Sequence, residues 1–228
     1  MFEYEYPHPA VTVDCTVFGL ADNELSLLLI ERGGAPFAGT WALPGGFVKI
    51  DEALADAARR ELQEETGVAD LYLEQLGAYG APERDPRERV ITVAYLAIVN
   101  LFDHPVHAAT DARNAGWFSV DDLPKLAFDH AEIVDASLER LREKVRREPI
   151  VFEFLPDRFT FRQLQQLYES VLGHPVDKRN FRKKIQATGL VVATGDVEMD
   201  VAHRAAQLFS FDHDRYEQLR EDGFELGL

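Results

Sequence analysis

The sequence predicts an α/β protein of two domains, a mixed α/β domain over residues 1–148 and a smaller α+β domain over residues 149–228. Three observations lead there. Strand-like and helix-like stretches alternate through the longer first part, the pattern of a sheet covered by helices. A charge-rich helical stretch ends at Glu148-Pro149, because the residue before proline is pushed out of the helical region. The charge balance changes at the same place. Residues 1–150 carry 14 Lys and Arg against 27 Asp and Glu, or −13, whereas residues 151–228 carry 10 against 13, or −3.

In chain order, residues 11–18 alternate like a half-buried strand, and residues 26–31 read as a second strand. Gly33, Gly34 and Pro36 mark a loop, and residues 41–46 end in a tight glycine turn. Trp41, before that turn, reads as core more readily than as a base-stacking platform. Residues 52–66 form a helix, with Asp51 as N-cap and Gly67 as its stop. Residues 90–101 are the strongest strand in the chain, residues 117–120 a short one, and residues 129–147 the last helix of this part.

The second part opens with a helix capped by Thr160, whose Leu164, Leu167, Tyr168 and Val171 share one face. Gly173-His-Pro breaks it. A second helix over residues 177–187 turns Phe181 and Ile185 inward and spreads Lys178, Arg179, Arg182 and Lys183 over its other faces. Gly189 stops it. Residues 190–193 form a strand, 194–204 a polar loop and 206–211 a returning strand. Helix, turn, basic helix, hairpin is the order of a winged helix. The alternative is a helical appendage for dimerisation with a solvated basic face.

Composition sets limits on function. The net charge of −16 argues at first against nucleic acid and toward metal cations. Residues 175–190 nevertheless hold five basic residues against Asp177, a local +4. No run approaches the roughly 18 apolar residues of a membrane helix. The acidic N-terminus is unlike a secretion signal, so a cytoplasmic protein without a membrane partner is expected. The single cysteine, Cys15, excludes an internal disulfide or a cysteine-based zinc site and reads as a small buried apolar residue.

The chemistry concentrates in residues 46–68. Positions i, i+3 and i+4 share a helix face, so Glu61, Glu64 and Glu65 crowd one short stripe. Like charges that close repel unless a cation joins them, and carboxylate oxygens suit Mg²⁺ or Mn²⁺. Arg60 lies two turns after Glu52, within reach of a supporting ion pair. The Gly45-Gly46 turn can bring backbone carbonyls near the same cation. A solvated acidic helix face is the plain alternative. The full spacing is more specific: Gly46, five residues, Glu52, seven residues, Arg60-Glu61-Leu62, one residue, Glu64-Glu65, one residue, Gly67-Val68.

That spacing resembles the Nudix box at every fixed position, and the resemblance to Nudix hydrolases covers roughly residues 8–148. It implies an α/β/α sandwich with a mixed sheet, and hydrolysis of a nucleoside diphosphate linked to another group. It implies that Glu61, Glu64 and Glu65 bind divalent metal, with the Gly45 carbonyl as a further ligand, and that Glu52 and Arg60 hold loop and helix in register. The general base is either a box glutamate or Asp111, six residues before Trp117; Asp111 could equally make a local turn bond. Residues 82–89 look like a loop of ADP-ribose-directed members, with Glu88 where many carry glycine. Arg84, Arg87 and Arg89 offer guanidinium forks for a diphosphate, unless they pair with Glu83, Asp85 and Glu88. His130 either contacts substrate in the cleft or is a capping or solvated residue.

The second part resembles the C-terminal domain of the Nudix-related transcriptional regulators of the NrtR type. The segments that carry this are residues 155–160, 164–169, 177–184 and 202–209. The resemblance implies homodimers on double-stranded palindromic operators, with ADP-ribose or a related NAD metabolite sensed by the Nudix domain. DNA recognition would fall on Lys178, Arg179, Asn180, Arg182 and Lys183, with His203 and Arg204 in the wing. Regulators of this type often have a degraded box, whereas this chain keeps an intact one. Two functions compete: a metal-dependent hydrolase of ADP-ribose-like compounds carrying a regulatory DNA-binding domain, and a regulator whose Nudix domain only senses.

Overall fold

The computed structural model describes residues 5–21, 24–68, 71–101, 115–199 and 205–227. Asp111, His203 and Arg204 therefore lie outside the described residues. By contacts the chain forms two compact units, Met1–Gly19 with Ser26–Leu138, and Leu20–Leu25 with Glu139–Leu228. No helix among the described residues is long and apolar enough to cross a membrane.

The first unit is built on a mixed sheet. Its strands are β1 (Ala10–Ala21), β2 (Glu24–Glu31), β3 (Trp41–Ala42), β4 (Gly45–Phe47), β5 (Tyr72–Tyr79), β6 (Val90–Ile98) and β7 (Ala115–Ser119). The order is β3-β2-β1-β6-β5, with β4 on β1 and β7 on β2. β1 and β6 run parallel in the middle, from Ala10 opposite Val90 to Phe18 opposite Ile98. The period of two divides β1 between the sheet's faces. Val13, Cys15 and Val17 pack with Val93, Tyr95 and Ala97 of β6 against Ala57, Ala58 and Leu62 of α1 (Leu54–Thr66). Thr16 points the other way, and its Oγ1 lies 2.8 Å from Ser137 Oγ of α2 (His130–Arg147). Helices thus cover both faces, the expected α/β/α sandwich.

Helix α1 starts later than the sequence suggests. Its N-cap is Ala53, with no side-chain cap, rather than Asp51. The reason is Glu52, whose carboxylate is held by Arg60 and by the Lys49 N–H and so keeps the chain in a loop until Ala53. Gly67 closes the helix as expected, at φ 74°, donating its N–H to Gln63 O. Strand β5 was not foreseen, because its burial follows no clean alternation and a register shift falls between Gln75 and Gly77.

In the second unit, a 3-10 turn (Ile150–Phe154) precedes β8 (Phe159–Thr160), α3 (Phe161–Leu172), α4 (Lys178–Thr188), β9 (Val191–Val197), β10 (Gln207–Phe211) and α5 (His213–Glu221). The strands pair in the order β8-β10-β9. Thr160 caps α3 in a full capping box with Gln163. Asp177 caps α4 by accepting from Asn180 N at 2.7 Å. The core comprises Leu164, Leu167, Tyr168, Val171, Phe181, Ile185 and Phe209, all buried. Two details differ from expectation. β9 runs to Val197, into the stretch read as loop, and α5 was not anticipated at all. No α5 residue is buried, so it lacks the apolar stripe by which such a helix is recognised.

Candidate functional site

Register and close approach build the Nudix box site. β4 lies antiparallel to β1, with Gly45 opposite Asp14 and Gly46 opposite Val13. A Cβ on Gly45 would stand 2.1 Å from Val13 O, and one on Gly46 would stand 2.4 Å from Glu61 Oε1. Both positions need glycine for lack of space, which lets the α1 carboxylates reach the turn. Glu65 Oε2 accepts from Gly45 N at 2.9 Å. The Gly45 contact seen is thus made by its N–H, not its carbonyl.

Arg60 organises the other carboxylates. It donates from Nε to Glu52 Oε1 at 2.7 Å and from Nη2 to Glu52 Oε2 at 2.9 Å. It also reaches Glu61 Oε1 at 2.6 Å, Glu64 Oε2 at 3.2 Å and Phe47 O at 3.2 Å. These bonds hold Glu52 down to about 2, far below the ordinary carboxylate range. Glu65 shows the opposite: burial, together with the Glu61 and Asp14 charges, raises it to about 8 against the pull of the Gly45 N–H. Two carboxylates crowded at a glycine turn, one of them reluctant to ionise, are a donor set that fits a hard divalent cation. Glu64 is turned toward Arg60 and is 55% exposed. As the side chains stand, no three Asp, Glu, His or Cys among the described residues converge closely enough to hold a metal ion.

Glu65 also lines a cleft of about 190 Å³, where Gly45 and three of the substrate candidates, Arg84, Arg87 and His130, meet it. Arg84 and Arg87 line it, as do Asp14, Arg32, Asp85 and His130. Arg84 is buried, with its side chain 4% exposed, and Asp129 grips it with two oxygens, at 2.8 Å from Nε and 2.7 Å from Nη2. Asp14 Oδ2 adds a third contact at 3.3 Å. Burial lowers its affinity for the proton, but Asp129 and Asp14 outweigh that and raise it overall. Nη1 makes no bond among the described residues. Arg87 pairs with Asp85 through two oxygens, as the pairing alternative anticipates, and remains half-exposed at the cleft. Arg89 is used structurally, donating to Ala81 O and Val90 O.

His130 is neither capping nor solvated. It is 3% exposed, accepts at Nδ1 from Leu43 N at 2.9 Å, and sets Nε2 3.6 Å from Asp14 Oδ1. Burial lowers its pKa, against the opposing Asp14 charge. Sequence reasoning missed Asp14, Arg32, Phe47 and Phe128 as cleft residues. Phe128 has φ 52°, rare for a phenylalanine, and Arg32 lies over its ring, 4.6 Å from the centroid. Arg87 lies between the Phe47 and Phe128 rings, 5.8 and 5.9 Å from their centroids.

In the second unit, Lys178, Arg179, Asn180, Arg182 and Lys183 are all exposed on α4. Arg182 is propped on the Phe161 ring, 4.7 Å from its centroid, beside a groove of about 200 Å³ that Arg162, Lys178 and Gln207 also line. Lys184 is turned away, donating to Gly227 O at 3.0 Å. The arrangement is a capped basic helix next to a β-hairpin.

Fold and sites together define a Nudix domain joined to a DNA-binding winged helix. The NUDIX domain family matches residues 8–137, and the NrtR DNA-binding winged helix domain matches residues 151–211. The chain belongs to the Nudix family, in the NrtR form that carries a C-terminal winged helix. It is 36% identical over 211 residues to the ADPR responsive transcriptional repressor NtrR of Acinetobacter baylyi, covering 91% of this chain and 84% of the relative. The structure of Shewanella oneidensis NrtR complexed with a 27mer DNA superposes with a TM-score of 0.80 at 30% identity, covering 94% of this chain and 96% of that one. The ADP-ribose pyrophosphatase of Methanocaldococcus jannaschii is 43% identical over 129 residues, 57% of this chain and 73% of the relative.

Proposed function

We propose that this protein is a DNA-binding transcriptional regulator whose Nudix cleft takes up ADP-ribose and hydrolyses its diphosphate. One observation carries the reading: a complete box, with Glu61 and Glu65 drawn to a glycine turn, shares a chain with an exposed basic helix. The names of the Acinetobacter repressor, the Shewanella DNA complex and the Methanocaldococcus pyrophosphatase support its separate parts.

In the cleft, Arg87 and Arg84 Nη1 would donate to diphosphate oxygens, with the Phe47 and Phe128 rings holding Arg87 in place. Glu61, Glu64 and Glu65 would hold Mg²⁺ or Mn²⁺, with Glu64 released from Arg60. The bound ion would neutralise phosphate charge and lower the pKa of the attacking water. Water adds to one phosphorus, the bridging P–O bond breaks, and a carboxylate takes the proton, leaving AMP and ribose 5-phosphate. Asp14 and Asp129 act as positioning residues through Arg84. The α4 residues would contact operator phosphates and base edges, and a two-fold operator would call for a homodimer.

The test is AMP release from ADP-ribose with Mg²⁺, alongside a mobility shift on the protein's own upstream DNA. The reading expects turnover lost in Glu64→Gln and a shift weakened by Arg182→Ala with Lys183→Ala. Turnover equal to that of Glu64→Gln would reduce the cleft to a sensor, the second reading, which the Arg60–Glu64 contact favours. No shift at all would remove the regulator.

A further inference from the structure

Tyr168 lies on α3 fully buried, and its hydroxyl has no hydrogen-bond partner among the described residues. Such a group is costly, because it has given up its bonds to water. Burial alone pushes its pKa far up, so it stays a neutral donor and acceptor. Tyr168 also lines a cavity of about 220 Å³ within the second unit. Leu172, Val176 and Phe181 supply apolar walls, with the Phe181 ring edge-on to Tyr168, 5.0 Å between centroids.

The polar lining is unequal in sign. Arg146, Lys184 and the His174 imidazole face one carboxylate, Asp177. That carboxylate is already engaged as the α4 N-cap. Lys184 gives one of its three donors to Gly227 O and keeps two. Arg146 is exposed near the end of α2. Apolar walls with a few polar groups suit a small molecule.

We propose that this cavity binds a small organic acid with an apolar body and one further hydrogen-bonding atom. The carboxylate meets Arg146 and Lys184, the body fills the Leu172–Val176–Phe181 space, and the second polar atom satisfies the Tyr168 hydroxyl once ligand entry uncovers it. The site shares no residue with the Nudix cleft and stands whether or not the proposed function holds.

Ligand-observed NMR titration of the full-length protein tests it. The probes are 4-hydroxybenzoate and 4-oxopentanoate, each beside its own amide. At least one acid should bind saturably and at least tenfold tighter than its amide. Leu172→Trp, which fills the cavity, should abolish that binding. Arg146→Glu and Tyr168→Phe should each weaken it several-fold, while ADP-ribose binding stays unchanged. Arg146→Glu alters an exposed side chain, so it decides the matter even if Leu172→Trp fails to fold. No acid binding, equal binding of acid and amide, or binding indifferent to Arg146→Glu would each overturn the proposal. A cavity that holds only water gives the first of these results.

Discussion

Arg60 and Arg84 are both arginines held by more than one carboxylate, yet they are opposite kinds of structure. The side-chain partners of Arg60, namely Glu52, Glu61 and Glu64, lie within eight residues of it, in and before one helix. Arg84 is gripped by Asp14 and Asp129, 70 and 45 residues away. The first network is written in local spacing and lies near the surface. The second exists only after β1, the 82–89 loop and the start of α2 have come together, and it is buried. A local network can be read from a motif, whereas a long-range one cannot, although both serve the same cleft.

The difference should be plainest in stability. Arg84→Ala leaves the buried Asp14 and the part-buried Asp129 without their cation, and breaking a buried pair in this way costs about 3–5 kcal/mol. Urea denaturation should find that loss, and a change below about 1 kcal/mol would show the pair to be solvated. Gly46→Ala should come next. Its Cβ must displace Glu61, so ADP-ribose turnover should fall at least tenfold, with a smaller shift in Tm than Arg84→Ala gives. Turnover at the wild-type rate would mean Glu61 does not need that turn.

Third is pH. The folded pKa of His130 is depressed, so the unfolded chain takes up the proton first as pH falls. The stability tied to neutral His130 is therefore complete above about pH 6.5, the unfolded value, and is lost as pH drops toward the folded one. Protonation would also remove the Nδ1 acceptor that Leu43 N uses. His130→Gln should flatten the fall in stability below about pH 6.5; an unchanged slope would place the titration elsewhere. The smallest stability effect belongs to Arg182→Ala with Lys183→Ala, both exposed. Stability should move by no more than about 0.5 kcal/mol, while the salt dependence of DNA binding falls by about one to two units of slope.

Legibility follows the same division. The box, the α1 stop at Gly67 and the Thr160 cap depend on neighbours a few residues apart, and all are visible in the sequence. Asp14 was not, because it sits in an alternating strand where its spacing signals only a facing direction. The sequence leaves His130 between a cleft contact and a capping or solvated residue, since nothing nearby announces the Leu43 N–H that its ring accepts. Asp51 was a plausible cap that lost to Glu52, already committed to Arg60. Strand β5 and helix α5 lack clean periodicity, so the pattern had nothing to report.

If the cleft and the basic helix belong to one regulator, ligand in the first must change DNA binding by the second. Fluorescence anisotropy of labelled operator DNA, with ADP-ribose titrated into the complex in EDTA to suspend turnover, tests it most directly. In the wild type the apparent Kd for DNA should change at least tenfold at saturating ADP-ribose. In an Arg87→Ala variant, which still binds DNA, the response should be lost or should need far more ligand. DNA affinity indifferent to saturating ADP-ribose would contradict it.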